Sequence, residues 1–119
     1  MDIREQHQER IRVYYYPNLE IRSYLIEESI SSLRVEHLKG PLTDETAKAL
    51  NKLGLIGAQV AKDILGIKGV NEIKMKPQEI WVKKTSSSSW DELEEKILSI
   101  IGRALRRKKI RLVNRPPDQ

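Results

Sequence analysis

The chain has 119 residues, of which 33% are charged and 39% hydrophobic, and a formal net charge of +5; this is enough for one modest core and too little for a second independent one. It contains no cysteine, which excludes disulfides, thiolate metal ligands, iron–sulfur ligation and cysteine nucleophiles. The N-terminus is charged and has no apolar leader, and no apolar run approaches the roughly 18 residues that span a bilayer, so the expectation is a cytoplasmic protein with no membrane association.

Residues 1–10 are polar throughout and read as a flexible segment. From Ile11 the pattern becomes β-branched and aromatic, with Ile11, Val13 and Tyr15 on one face at period two, and predicts a strand. Pro17-Asn18 supplies turn chemistry, and Glu20 to Ile26 alternates again, which together predict a β-hairpin. A further strand is expected between Leu33 and Leu38, ended by Gly40-Pro41.

Thr43 is a suitable N-cap, followed by Asp44 and Glu45 at the positive end of a helix dipole. Leu50, Leu53, Ile56, Val60, Ala61 and Ile64 then form an apolar stripe at helical spacing that runs to Gly66. Gly54 and Gly57 interrupt it, which predicts either a break or a close approach of the helix to a neighbouring backbone. Strand character returns at Val70 to Met75, turns at Lys76-Pro77-Gln78, and alternates again from Glu79 to Thr85, a second hairpin. Ser89 and Glu92 form a Ser-x-x-Glu capping box before Trp90, Leu93, Ile97, Ile100, Ile101 and Ala104, the apolar face of a second helix expected to end near Arg106.

The order is ββ(β)-α-ββ-α. It predicts an α+β two-layer sandwich: a mostly antiparallel sheet of four or five strands with two helices on one face. The domain plan is a flexible segment over 1–10, a single domain over 11–106, and a basic C-terminal tail over 107–119.

The phrases Ile64-Leu-Gly-Ile-Lys-Gly-Val-Asn-Glu-Ile, Glu79-Ile-Trp-Val-Lys-Lys and Ser89-Trp90-Asp91-Glu92-Leu93, with Ile97 and Ile100-Ile101 after them, follow one another between Leu53 and Ile101. In that order they resemble the N-terminal domain of Nfu/NifU-type iron–sulfur scaffold proteins, as does the Tyr16-Pro17-Asn18 turn near the start. The resemblance implies an α/β sandwich whose hairpins form the sheet. It also implies a stand-alone module, because in that family the cluster-binding Cys-x-x-Cys lies in a separate C-terminal domain that this sequence lacks. Tyr14-Tyr15-Tyr16 and Glu27 to Lys39 match no motif of the family.

The chemically strongest segment is the cluster Arg103, Arg106, Arg107, Lys108, Lys109 and Arg111. From Arg103 onward seven bases face one acid, whereas residues 1–102 hold fifteen bases and sixteen acids. The body is therefore close to neutral and the attraction to polyanions is concentrated at the C-terminus. Such a cluster suits nucleic acid, with affinity that falls as salt rises; it also suits a solvated helix end whose dipole favours cations. Tyr14, Tyr15, Tyr16, Tyr24 and Trp81 invite comparison with base-stacking sheets, but no RNP-like motif accompanies them, and core or cross-strand packing is the reading. His7 and His37 have no metal-ligand spacing; of the carboxylate groups Glu27-Glu28, Asp44-Glu45 and Asp91-Glu92-x-Glu94-Glu95 the last two sit in first helical turns; and the glycines form no phosphate loop. No cofactor and no metal is expected. The function expected is a non-catalytic binding module with a protein partner, or alternatively one that binds nucleic acid through the basic tail.

Overall fold

The structure is a computed structural model that describes residues 3–6, 11–31 and 35–113, with side chains described over 11–31 and 35–107. Among the described residues six strands, three α-helices and one 3-10 turn follow in the order β1 (Ile3–Gln6), β2 (Ile11–Tyr15), β3 (Ile21–Leu25), β4 (Glu36–Lys39), α1 (Asp44–Leu50), the 3-10 turn (Asn51–Leu53), α2 (Gly54–Leu65), β5 (Val70–Lys76), β6 (Glu79–Lys84) and α3 (Trp90–Val113). The strands make one sheet in the order β1-β2-β3-β6-β5-β4 with every neighbouring pair antiparallel. This is the α+β two-layer sandwich that the alternation predicts, with β1 added at one edge from the polar N-terminal segment.

Both predicted hairpins are present, β2 with β3 and β5 with β6. The first turn is held locally, because the Asn18 side chain accepts from the Glu20 N–H at 2.9 Å and the Ile21 N–H reaches the Asn18 carbonyl at 3.1 Å. The hairpins join at the centre of the sheet, where Tyr24 of β3 lies opposite Ile80 of β6. Period-two alternation then sorts the side chains. Ile11, Val13, Tyr24, Leu38, Ile73, Met75, Ile80 and Val82 are buried on the face that the helices cover.

The helical layer completes this core with Leu53, Val60, Ile64, Leu93, Ile97 and Ile101, all at most 3% exposed. The interruption expected at the glycines takes both predicted forms. At Gly54 the chain passes through φ +82°, a region that favours glycine, and this separates α1 and its 3-10 turn from α2. At Gly57 an added Cβ would lie 2.6 Å from the Ser31 Cβ and 3.1 Å from the Ile30 carbonyl oxygen, so the close approach is to the segment leading to β4. Thr43 caps α1 by accepting from the Thr46 N–H at 3.3 Å. Ser89 caps α3 by accepting from the Asp91 N–H at 3.2 Å. α3 continues to Val113 and does not end near Arg106. The reason is the residue types that follow: Arg, Lys and Leu are good helix formers, and no glycine or proline interrupts the run from Arg106 to Val113.

Candidate functional site

Three surfaces and one partly buried cluster carry the chemistry. The first surface is the basic end of α3. Arg103, Arg106 and Arg107 are exposed on it, and the backbone at Lys108, Lys109 and Arg111 continues the same helix. Arg103 does not stand in a purely basic field. It lines a groove of about 620 Å³ with Ile67, Glu92, Glu95, Lys96 and Ser99, and, together with Arg107, a smaller one of about 220 Å³ that includes Asp63. The first turns of the candidate cluster therefore face carboxylates, and the charge contrast seen along the sequence is softened by the fold.

The second surface lies between α1 and α2. Leu42, Ala47, Leu50, Leu55, Ala58 and Lys62 are among the residues that line a groove of about 330 Å³. Leu55 is 70% exposed and Leu42 is 42% exposed. Leu55 falls off the apolar stripe of α2, and that position is the sequence signal that would have marked it: a large apolar residue on the solvent side of an amphipathic helix.

The third surface is the face of the sheet that the helices leave open. The register sets Tyr14, Ser23, Trp81, Lys74 and His37 in one row across β2, β3, β6, β5 and β4. Tyr14 and Tyr16 meet edge to face with ring centroids 4.7 Å apart. The Tyr16 hydroxyl lies 3.2 Å from the Ser23 hydroxyl, which donates to the Glu79 carboxylate at 2.9 Å. The Lys74 ammonium sits 4.4 Å from the centre of the Trp81 ring, and His37 meets that ring edge-on at 6.3 Å. His37 Nε2 is in turn 2.7 Å from the Glu72 carboxylate. The five aromatic residues of the strands thus divide: Tyr24 is core, Tyr15 packs against the core, and Tyr14, Tyr16 and Trp81 are half-buried on the open face. Sequence reasoning placed Tyr15 with Ile11 and Val13 but had no means of telling which face the helices take.

The cluster, buried at Tyr24 and Trp90 and half-buried at Arg22, Glu94 and Tyr15, joins the sheet to α3. Glu94 Oε1 accepts from Arg22 Nη1 at 2.9 Å and from the Tyr24 hydroxyl at 3.1 Å. The Arg22 guanidinium lies between the rings of Tyr15 and Trp90, 4.6 and 4.8 Å from their centres. Trp90, expected as a lid on the core, is 8% exposed and donates from Nε1 to the Leu19 carbonyl at 2.7 Å. Burial, and then the adjacent Glu94 carboxylate, push the Tyr24 phenol far above the usual tyrosine range. Among the described residues no buried side-chain nitrogen or oxygen lacks a hydrogen-bond partner, and these contacts clamp β3 to α3.

Among the described residues no group of three or more His, Asp or Glu side chains could hold a metal ion, and no helix is long and apolar enough to cross a membrane.

The fold is that of a two-layer sheet-and-helix domain. The chain superposes on a NifU-like protein from Saccharomyces cerevisiae with a TM-score of 0.58 at 14% identity, covering 85% of this chain and 82% of that one. It superposes on protein SAV1430 from Staphylococcus aureus with a TM-score of 0.54 at 18% identity, covering 75% of this chain and 93% of that one. At these identities the likeness is one of fold, and it is the fold that the resemblance in sequence implied. No protein-family model and no curated protein sequence matches the chain.

Proposed function

We propose that the chain is a non-catalytic binding module that docks a protein partner in the groove between α1 and α2. The observation that carries this reading is Leu55, 70% exposed beside Leu42 in a groove of about 330 Å³ whose one charged lining residue is Lys62. Large apolar side chains left in water at the rim of a concave site lower the free energy when a partner's apolar side chain covers them. A protein supplies such a side chain; a polyanion does not. The test is quantitative affinity capture from extract of the source cells by the full chain and by Leu55→Asp, with unfolding curves for both. The expectation is one protein retained stoichiometrically by the wild type and lost with Leu55→Asp, whose stability is unchanged because the residue is exposed. Equal retention by both proteins, or no saturable retention, overturns the reading.

A second reading, nucleic-acid binding by the basic end of α3, is supported by the continuity of that helix through Arg103, Arg106, Arg107, Lys108, Lys109 and Arg111. It requires oligonucleotide binding that weakens steeply with salt and is lost when Lys108, Lys109 and Arg111 are changed together to Gln.

A further inference from the structure

The open face of the sheet combines three features. The first is charge. Over strands β2 to β6 this face holds Arg12, Lys39, Lys74, Lys76 and Lys83 against Glu72 and Glu79. Even with Glu5, which the register sets opposite Arg12, five cations face three carboxylates, although residues 1–102 as a whole have one acid more than bases. Glu72 pairs with His37 at 2.7 Å and Lys83 at 4.0 Å, and Glu79 with Lys76 at 3.8 Å and the Ser23 hydroxyl, and the excess on the face is two cations. The face is thus locally positive on a body that is not.

The second feature is aromatic. Tyr14, Tyr16 and Trp81 stay part-exposed on a layer that none of the described helices covers, whereas Tyr24, one strand away, is fully buried on the other side. The third is the way those rings are held. Tyr16 is tied through its hydroxyl to Ser23 and thence to Glu79, and Trp81 is flanked by Lys74 and His37, itself fixed by Glu72. These contacts fix the rings by polar and edge interactions, and Ile21 and Leu25 of β3, both half-buried, share the face with them. Ordered rings cost little further entropy when a ligand settles on them.

We infer that the open sheet face is a stacking platform for single-stranded nucleic acid, with Trp81, Tyr14 and Tyr16 as the base-contacting rings and Lys74, Arg12 and Lys83 as the cations that meet the backbone phosphates. Unpaired bases offer flat π-faces to such rings, and phosphates spaced along the strand answer the cations between them. A second copy of the chain is disfavoured on the same face, because two positive surfaces would meet. Duplex is a poorer occupant, because its bases are already stacked and unavailable to the rings. The platform lies on the sheet layer and the leucine groove on the helical layer, so the two proposals stand or fall separately.

The test is fluorescence anisotropy of labelled 12-nucleotide single strands, oligo-dT and oligo-U, and of a duplex of equal length, over a salt series. It uses the full chain, Trp81→Ala, Lys74→Gln, and the triple change of Lys108, Lys109 and Arg111 to Gln. The expected result is binding that prefers single strands, is about ten-fold weaker in Trp81→Ala, has a salt slope lower by about one in Lys74→Gln, and persists in the helix-end variant. Quenching of tryptophan fluorescence of the wild-type protein by oligo-dT provides a readout that needs no folded variant. Absence of binding at low salt, equal affinity for duplex, or binding unchanged by Trp81→Ala and abolished in the helix-end variant each overturns the inference.

Discussion

Replacing Glu94 by Ala removes the carboxylate that holds β3 against α3. Two losses follow. The Tyr24 hydroxyl, on a residue that is 0% exposed, is left without its acceptor, which costs about 1–3 kcal/mol. The ion pair with Arg22 is also lost; with side chains 22% and 18% exposed it is partly screened and contributes about 0.5–1 kcal/mol. The expected sum is about 2–4 kcal/mol, a fall in melting temperature of about 3–5 °C for each kcal/mol in a domain of this size. Glu94→Gln keeps an oxygen acceptor for Tyr24 and should cost about 1 kcal/mol. Urea unfolding followed by tryptophan fluorescence measures each loss. A double-mutant cycle of Glu94→Ala with Tyr24→Phe should give a coupling of about 1 kcal/mol, because the second change removes the stranded hydroxyl. A cost below about 0.5 kcal/mol for Glu94→Ala, or strict additivity in the cycle, would refute the clamp as described.

The raised phenol of Tyr24 gives a pH dependence whose sign is fixed. The native state keeps the proton that the unfolded chain releases near pH 10, so the contribution is complete below about pH 10 and is lost as pH rises above it, by up to about 1.4 kcal/mol per pH unit; urea midpoints between pH 8 and 11 should fall more steeply for the wild type than for Tyr24→Phe. Gly57→Ala should destabilise although alanine favours helix by about 1 kcal/mol, because the new Cβ meets the Ser31 Cα at 3.0 Å and the Ile30 carbonyl oxygen at 3.1 Å and backbone must shift, at about 1–3 kcal/mol. A gain in melting temperature for Gly57→Ala would show that the α2 contact with that segment is looser than its geometry.

Local chemistry by itself determined the elements of this protein. The period-two runs at Ile11, Val13 and Tyr15 and at Ile80 and Val82, the 3.6-residue stripes through Val60 and Ile64 and through Ile97 and Ile101, and the turns at Asn18 and Pro77 each depend on neighbours a few residues away, so they can be read along the chain. Caps at Thr43 and Ser89 are of the same kind. Tertiary structure decided what those elements do. The pairing of β3 with β6 and the placing of β4 beside β5 join segments far apart in sequence, and with them comes the choice of which sheet face the helices cover. That choice buries Tyr24 and leaves Trp81, Tyr14 and Tyr16 in an open positive row, although all four read alike as strand aromatics. The clamp of Arg22 on Glu94 spans 72 residues, and the groove of Leu42 and Leu55 is lined by residues on both sides of the break at Gly54. Periodicity specifies a face relative to its own element, whereas function depends on which faces meet, and that is fixed by burying the whole apolar surface at once.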